Sequence, residues 1–67
     1  MPIIEVTLIA GRSKEKKEAL IAELTDAAVR AVDAPIETVR VILYEVPPEH
    51  FGIAGQSKAK RSGGGAT

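Results

Sequence analysis

Between Ile3 and Ile9 the chain reads Ile-Ile-Glu-Val-Thr-Leu-Ile, and alternate positions separate cleanly. Ile4, Val6 and Leu8 form one wholly apolar face, while Ile3, Glu5, Thr7 and Ile9 share the other. A period of two in β-branched residues predicts a strand that buries one side. At Ala10-Gly11-Arg12-Ser13 the pattern breaks: Gly11 permits a turn, and Ser13 can cap a helix by accepting a hydrogen bond from an early backbone N–H. From Lys14 the period becomes helical. Leu20, Ile21, Leu24, Ala27, Ala28 and Ala31 recur three and four apart, and Lys16, Lys17, Glu18, Glu23, Asp26 and Arg30 fall largely on the polar face. Glu15 lies where the helix dipole favours an anion. Asp33-Ala34-Pro35 ends the helix near Val32, because proline excludes the α conformation from the residue before it.

A second apolar run, Val39-Arg40-Val41-Ile42-Leu43-Tyr44-Glu45, reads as the next strand. A helix of about nineteen residues between two strands is the length a parallel crossover needs, so the unit is βαβ and right-handed. Pro47 to Gly55 mixes turn formers with a few apolar residues and predicts a turn followed by a short hairpin packed against a neighbour. Lys58 to Thr67 is basic and then glycine-rich, a composition that cannot offset its ordering entropy. The expectation is an α+β fold: one β-α-β domain over residues 1–57 with parallel strands and a C-terminal hairpin, then a mobile tail over 58–67.

Length sharpens this picture. A chain of 67 residues buries only about 60% of the surface its unfolded form exposes. It has no cysteine for disulfides and no Cys/His cluster for a structural metal, so self-association is the remaining route to stability. Nine basic and nine acidic residues cancel, which removes the broad attraction that nucleic-acid binders use. No apolar run approaches the ~20 residues of a membrane span, and the N-terminus lacks the order of a signal peptide. A cytoplasmic protein with neither nucleic acid nor membrane as partner is expected.

Chemical groups are few. With one His, one Tyr and no Cys, nucleophilic triads, metal sites and carboxylate dyads have little to build on. Pro2 directly follows Met1. Trimming of Met1, which a small second residue favours, would expose a secondary amine able to act as a base on a ring of fixed φ; alternatively, Pro2 only rigidifies a strand entrance. Arg40 sits just inside an apolar strand, so it either snorkels to the rim or pairs with an anion. Arg12 lies beside a helix N-terminus, either solvated in its turn or holding an anion. His50 reads as a loop histidine touching solvent. Together Pro2, Arg12, Arg40 and Phe51 offer an amine base, two guanidinium groups able to hold carboxylates, and a ring able to desolvate the amine.

Six stretches stand out in their order and spacing: Pro-Ile-Ile at 2 to 4, Gly-Arg-Ser at 11 to 13, Lys-Glu-Ala-Leu-Ile at 17 to 21, Asp-Ala-Pro at 33 to 35, Val-Arg-Val-Ile at 39 to 42 and His-Phe-Gly-Ile at 50 to 53. By them the chain resembles the 4-oxalocrotonate (2-hydroxymuconate) tautomerases across nearly its whole length, from Pro2 to about Ala59. The resemblance implies the tautomerase/MIF-like fold and an isomerase without a cofactor, acting in aromatic degradation on 2-hydroxymuconate-like dicarboxylates. It implies Pro2 as the catalytic amine, Arg40 as a catalytic and substrate-binding arginine, Arg12 as a second substrate-binding arginine, and Phe51 and Ile9 as apolar residues against the substrate. It also implies a homohexamer, a trimer of dimers. Ile9 stands where the best-known members carry leucine, and Pro47-Pro48 and Ala54 vary the hairpin. Two alternatives stay open: dehalogenation or decarboxylation of small unsaturated acids on the same fold, and a non-catalytic oligomeric subunit that keeps Met1.

Overall fold

The structure is a computed structural model that describes residues 1–63. In chain order it has strand β1 (Ile3–Ile9), helix α1 (Lys14–Val32), a 3₁₀ turn at Ile36–Thr38, and strand β2 (Arg40–Val46). A second 3₁₀ turn at Pro48–His50, strands β3 (Gly52–Ile53) and β4 (Gln56–Ser57), and helix α2 (Lys58–Gly63) follow. β1 and β2 pair in parallel, from Ile3 opposite Arg40 to Ile9 opposite Val46, so the expected βαβ unit is present.

Local chemistry sets the boundaries. Ser13 caps α1, its Oγ accepting from the Lys16 N–H at 3.2 Å, and Asp33 closes it in the left-handed region (φ 60) with its N–H donating to the Val29 carbonyl. β2 begins one residue later than the apolar run suggests, because the Val39 N–H is used by Ile36 O at 3.2 Å to close the first 3₁₀ turn. It also ends one residue later, since Val46 O accepts from the Ala10 N–H at 2.8 Å. The hairpin turns through Ala54 and Gly55 at φ 53 and 85, the two positive dihedrals that a tight two-residue connection requires.

Parallel register divides the sheet into two faces. Ile4, Val6, Leu8, Val41, Leu43 and Glu45 lie on one, Ile3, Glu5, Thr7, Ile9, Arg40, Ile42 and Tyr44 on the other. α1 covers the first face through half-buried Leu20, Leu24 and Ala28, with Thr25 and Val29 beside them. Ile21, Ala27 and Ala31 of the expected apolar stripe are exposed. A two-stranded sheet is only about 5 Å wide between strand axes against a helix about 10 Å across, so the flanks of the stripe overhang it. The second face is open: Ile3, Ile42 and Tyr44 are 59%, 40% and 48% exposed, and the Tyr44 hydroxyl reaches Glu5 Oε2 across it at 3.4 Å.

Two consequences follow. Among the described residues only Leu8 is buried, and the radius of gyration is 15.2 Å against about 11 Å for a compact domain of this length. One chain therefore does not complete a core, and it leaves an apolar sheet face uncovered. The second concerns residues 58–63, expected from composition to begin a mobile tail. They are helical instead, because Ser57 Oγ caps the first turn by accepting from the Lys60 N–H at 3.1 Å. The rest of that expected tail, residues 64–67, lies outside the described residues.

Candidate active site

The residues expected to carry chemistry gather at the two opposite ends of the parallel sheet. At the end where both strands begin, the half-buried Pro2 offers its carbonyl to the Arg40 N–H at 3.0 Å. Parallel pairing makes this contact unavoidable, since it sets the entry to β1 beside the entry to β2. The exposed Arg40 side chain folds back, and its Nη1 donates to Glu37 O at 2.6 Å and to Val39 O at 3.4 Å. A guanidinium carries five N–H donors. One nitrogen thus anchors Arg40 while the rest of the fork stays available to a carboxylate or a developing oxyanion.

At the other end β1 leaves the sheet through Gly11, whose φ of 136 suits glycine. Arg12 is exposed, and its Nη1 donates to Ile9 O at 3.0 Å, leaving the same kind of fork beside half-buried Ile9. Half-buried Phe51 follows the far end of β2, past the second 3₁₀ turn. Pro2 and Arg40 are thus brought together, as are Ile9 and Arg12. The two pairs are not: seven strand residues separate them, a span of more than about 20 Å. Phe51, expected beside Pro2, lies in its own chain beyond the opposite end of the sheet.

His50 is exposed, as its loop position suggests. No group of three or more His, Cys, Asp and Glu among the described residues is placed to hold a metal ion. Lys17 is a departure. Grouped with the polar face by its spacing, it turns toward the sheet, and its Nζ donates to Glu45 Oε1 at 3.1 Å. Two opposite charges 28 residues apart leave no periodic signal, so only the βαβ topology reveals this pair.

The fold agrees with comparison to known proteins. The chain belongs to the tautomerase enzyme family, which matches residues 2–61. It is 52% identical over 60 residues to a 2-hydroxymuconate tautomerase of Pseudomonas fluorescens, covering 90% of this chain and 95% of that one. It superposes on TomN, a 4-oxalocrotonate tautomerase homologue of the tomaymycin biosynthetic pathway, with a TM-score of 0.93 and 43% identity over 97% of this chain and 100% of that one. A heterohexamer 4-oxalocrotonate tautomerase of Chloroflexus aurantiacus matches with a TM-score of 0.86 and 42% identity, over 90% of this chain and 97% of that one. The chain is accordingly an enzyme of the isomerase class with the fold of oligomeric tautomerases. Among the described residues no helix is long and apolar enough to cross a membrane.

Proposed function

We propose that this chain, trimmed of Met1, is a 2-hydroxymuconate-type tautomerase whose catalytic base is the Pro2 amine. The observation that carries the reading is the division of the site: a base and one arginine at one end of the sheet, an arginine and two apolar side chains at the other. A six-carbon dicarboxylate cannot bridge more than about 20 Å, so one site needs both kinds of end. Two chains lying antiparallel across their open faces supply that, with the amine of one meeting Ile9, Arg12 and Phe51 of the other. Three such dimers make the hexamer that the open apolar faces and the oligomeric relatives support.

In the reaction Pro2 takes the proton of the dienol hydroxyl. The electrons of the O–H bond form the carbonyl, the double bonds shift, and the prolinium returns the proton to a distant carbon. Atoms and charge balance, and the reading requires no cofactor. Arg40 donates to the carbonyl oxygen as charge develops there. Arg12 holds the far carboxylate and draws electron density toward it. Phe51 excludes water, and with two nearby cations this favours the neutral amine over its protonated form. Only the neutral amine accepts a proton, so kcat/KM rises with pH through the range in which the amine deprotonates, below the ~7.7–8.0 of a free α-amino group.

The deciding experiment pairs intact-mass measurement with an ultraviolet assay of 2-hydroxymuconate. Loss of one methionine together with turnover is expected. Complete retention of Met1 defeats the reading, because an acylated proline nitrogen has no usable lone pair. The heterohexamer relative favours a second reading, in which this chain is one of two kinds of subunit; an active assembly of this chain alone decides against it.

A further inference from the structure

We infer that the Lys17–Glu45 ion pair positions Arg12, and through Arg12 sets the affinity for the far carboxylate of the substrate. The inference rests on the role given to Arg12 above. The turn that carries Arg12 has two anchors. On the sheet side the Ala10 N–H donates to Val46 O at 2.8 Å, and on the helix side Ser13 O accepts from the Lys17 N–H at 3.1 Å. Lys17 Nζ then reaches Glu45 Oε1 at 3.1 Å, and Glu45 is bonded directly to Val46. The result is a closed circuit running from Ala10 through Val46, Glu45, Lys17 and Ser13 back to Arg12. The ion pair is the one link in it made by two side chains.

Within the turn Arg12 Nη1 donates to Ile9 O at 3.0 Å, which ties the guanidinium to the end of β1. Gly11, at φ 136, has no atom within 4 Å of the place a Cβ would occupy, so nothing crowds that side of the backbone that carries Arg12. A second restraint on that backbone is the separation between the first turn of α1 and the end of β2, which the ion pair spans. The pair is also unlike the other one found among the described residues. Lys14 and Glu18 lie 4.0 Å apart with side chains 81% and 65% exposed, whereas Lys17 and Glu45 are 29% and 34% exposed. Glu45 stands in register with Leu8, the buried residue of the sheet. The Lys17–Glu45 pair is thus both shorter and less exposed than the pair on the helix surface.

The test separates positioning from simple stapling of helix to sheet. Lys17→Met should raise KM for a dicarboxylate substrate by about three- to tenfold with kcat little changed, because a small displacement of a binding group weakens one contact and not the chemistry. KM for a monocarboxylate analogue should stay constant, and Lys17→Arg should restore the dicarboxylate value. Adding Lys17→Met to Arg12→Ala should change nothing further, since the first acts through the second. An unchanged dicarboxylate KM, an equal rise for both substrates, or full additivity overturns the inference. If Arg12→Ala itself leaves KM unchanged, the reading of Arg12 fails and this inference with it; if Arg12→Ala raises KM and Lys17→Met does not, the inference alone fails. Sedimentation establishes that each variant assembles. Should Lys17→Met not assemble, Glu45→Gln is measured in the same way, and failure of both to assemble assigns the pair to structure and overturns the inference.

Discussion

The two ends of the parallel sheet carry comparable groups but hold them differently. At the amine end Pro2 and Arg40 belong to strand entrances, and one backbone hydrogen bond of 3.0 Å joins them; the ladder that builds the sheet also builds this half of the site. At the turn end Arg12 sits on a loop and Phe51 follows a 3₁₀ turn. Their positions depend on a glycine hinge, an ion pair and a two-residue hairpin. Rigid elements suit groups that must meet reacting atoms within fractions of an ångström, whereas loops tolerate the variation that changes which substrate fits. Changes at the amine end should therefore strike the chemical step and changes at the turn end should strike binding, a contrast open to direct test.

The largest effect is expected from Pro2→Ala, which replaces the secondary amine with a primary one and changes its basicity and flexibility. Activity should fall by roughly 10² or more, the range attributed to a positioned acid–base group. Mixing this variant with Arg12→Ala subunits then tests whether the two ends meet across chains. In an antiparallel pair of unlike subunits, one site keeps both residues and the other loses both. Random exchange therefore leaves about one site in four intact, and at substrate well below KM, where Arg12→Ala subunits alone turn over about tenfold more slowly, activity should recover toward that fraction. No recovery despite demonstrated subunit exchange would rule out the shared site.

A smaller contrast separates the two arginines. Arg40→Ala should lower kcat, because its contact strengthens as charge develops on the carbonyl oxygen. Arg12→Ala should raise KM by about tenfold for a dicarboxylate, since its contact exists before the reaction begins. Steady-state kinetics on a dicarboxylate and a monocarboxylate check this. Indistinguishable variants would erase the functional difference between the ends while leaving the structural one untouched.

How much of this could be read beforehand varies with the kind of signal. β1 and α1 were legible because a period of two and a period of three to four each persist over a full element, bounded by Ser13 and by Asp33-Ala34-Pro35. The distance between the two ends was legible too, from the number of strand residues alone. β2 shifted by one residue because hydrogen bonds from Val39 and Ala10, not hydrophobicity, decide where its pairing starts and stops. α2 was missed since a lysine-rich, glycine-tailed segment gives no apolar periodicity, and its cap at Ser57 becomes meaningful only once the hairpin presents that serine. Lys17 looked like one more polar-face residue. Its partner Glu45 belongs to a different element, and no local pattern links them.

The subtlest prediction compares the two ends through backbone strain. Two residues other than glycine among those described adopt positive φ: Asp33 at 60, beside the amine end, and Ala54 at 53, in the hairpin beyond the turn end. An L-residue pays roughly 1–2 kcal/mol to enter this region because its Cβ crowds the following carbonyl, while glycine enters without that penalty but loses more chain entropy on folding. Aspartate is tolerated in this region better than alanine. Ala54→Gly should therefore stabilise the protein by about 0.5–1 kcal/mol, and Asp33→Gly should change it by no more than a few tenths of a kcal/mol. Urea midpoints at fixed protomer concentration measure both, so that assembly contributes equally. A gain at Asp33 as large as that at Ala54 would mean that aspartate is tolerated no better than alanine here. No gain at Ala54 would place the cost of the hairpin turn elsewhere, in the residues that lead from Phe51 into it.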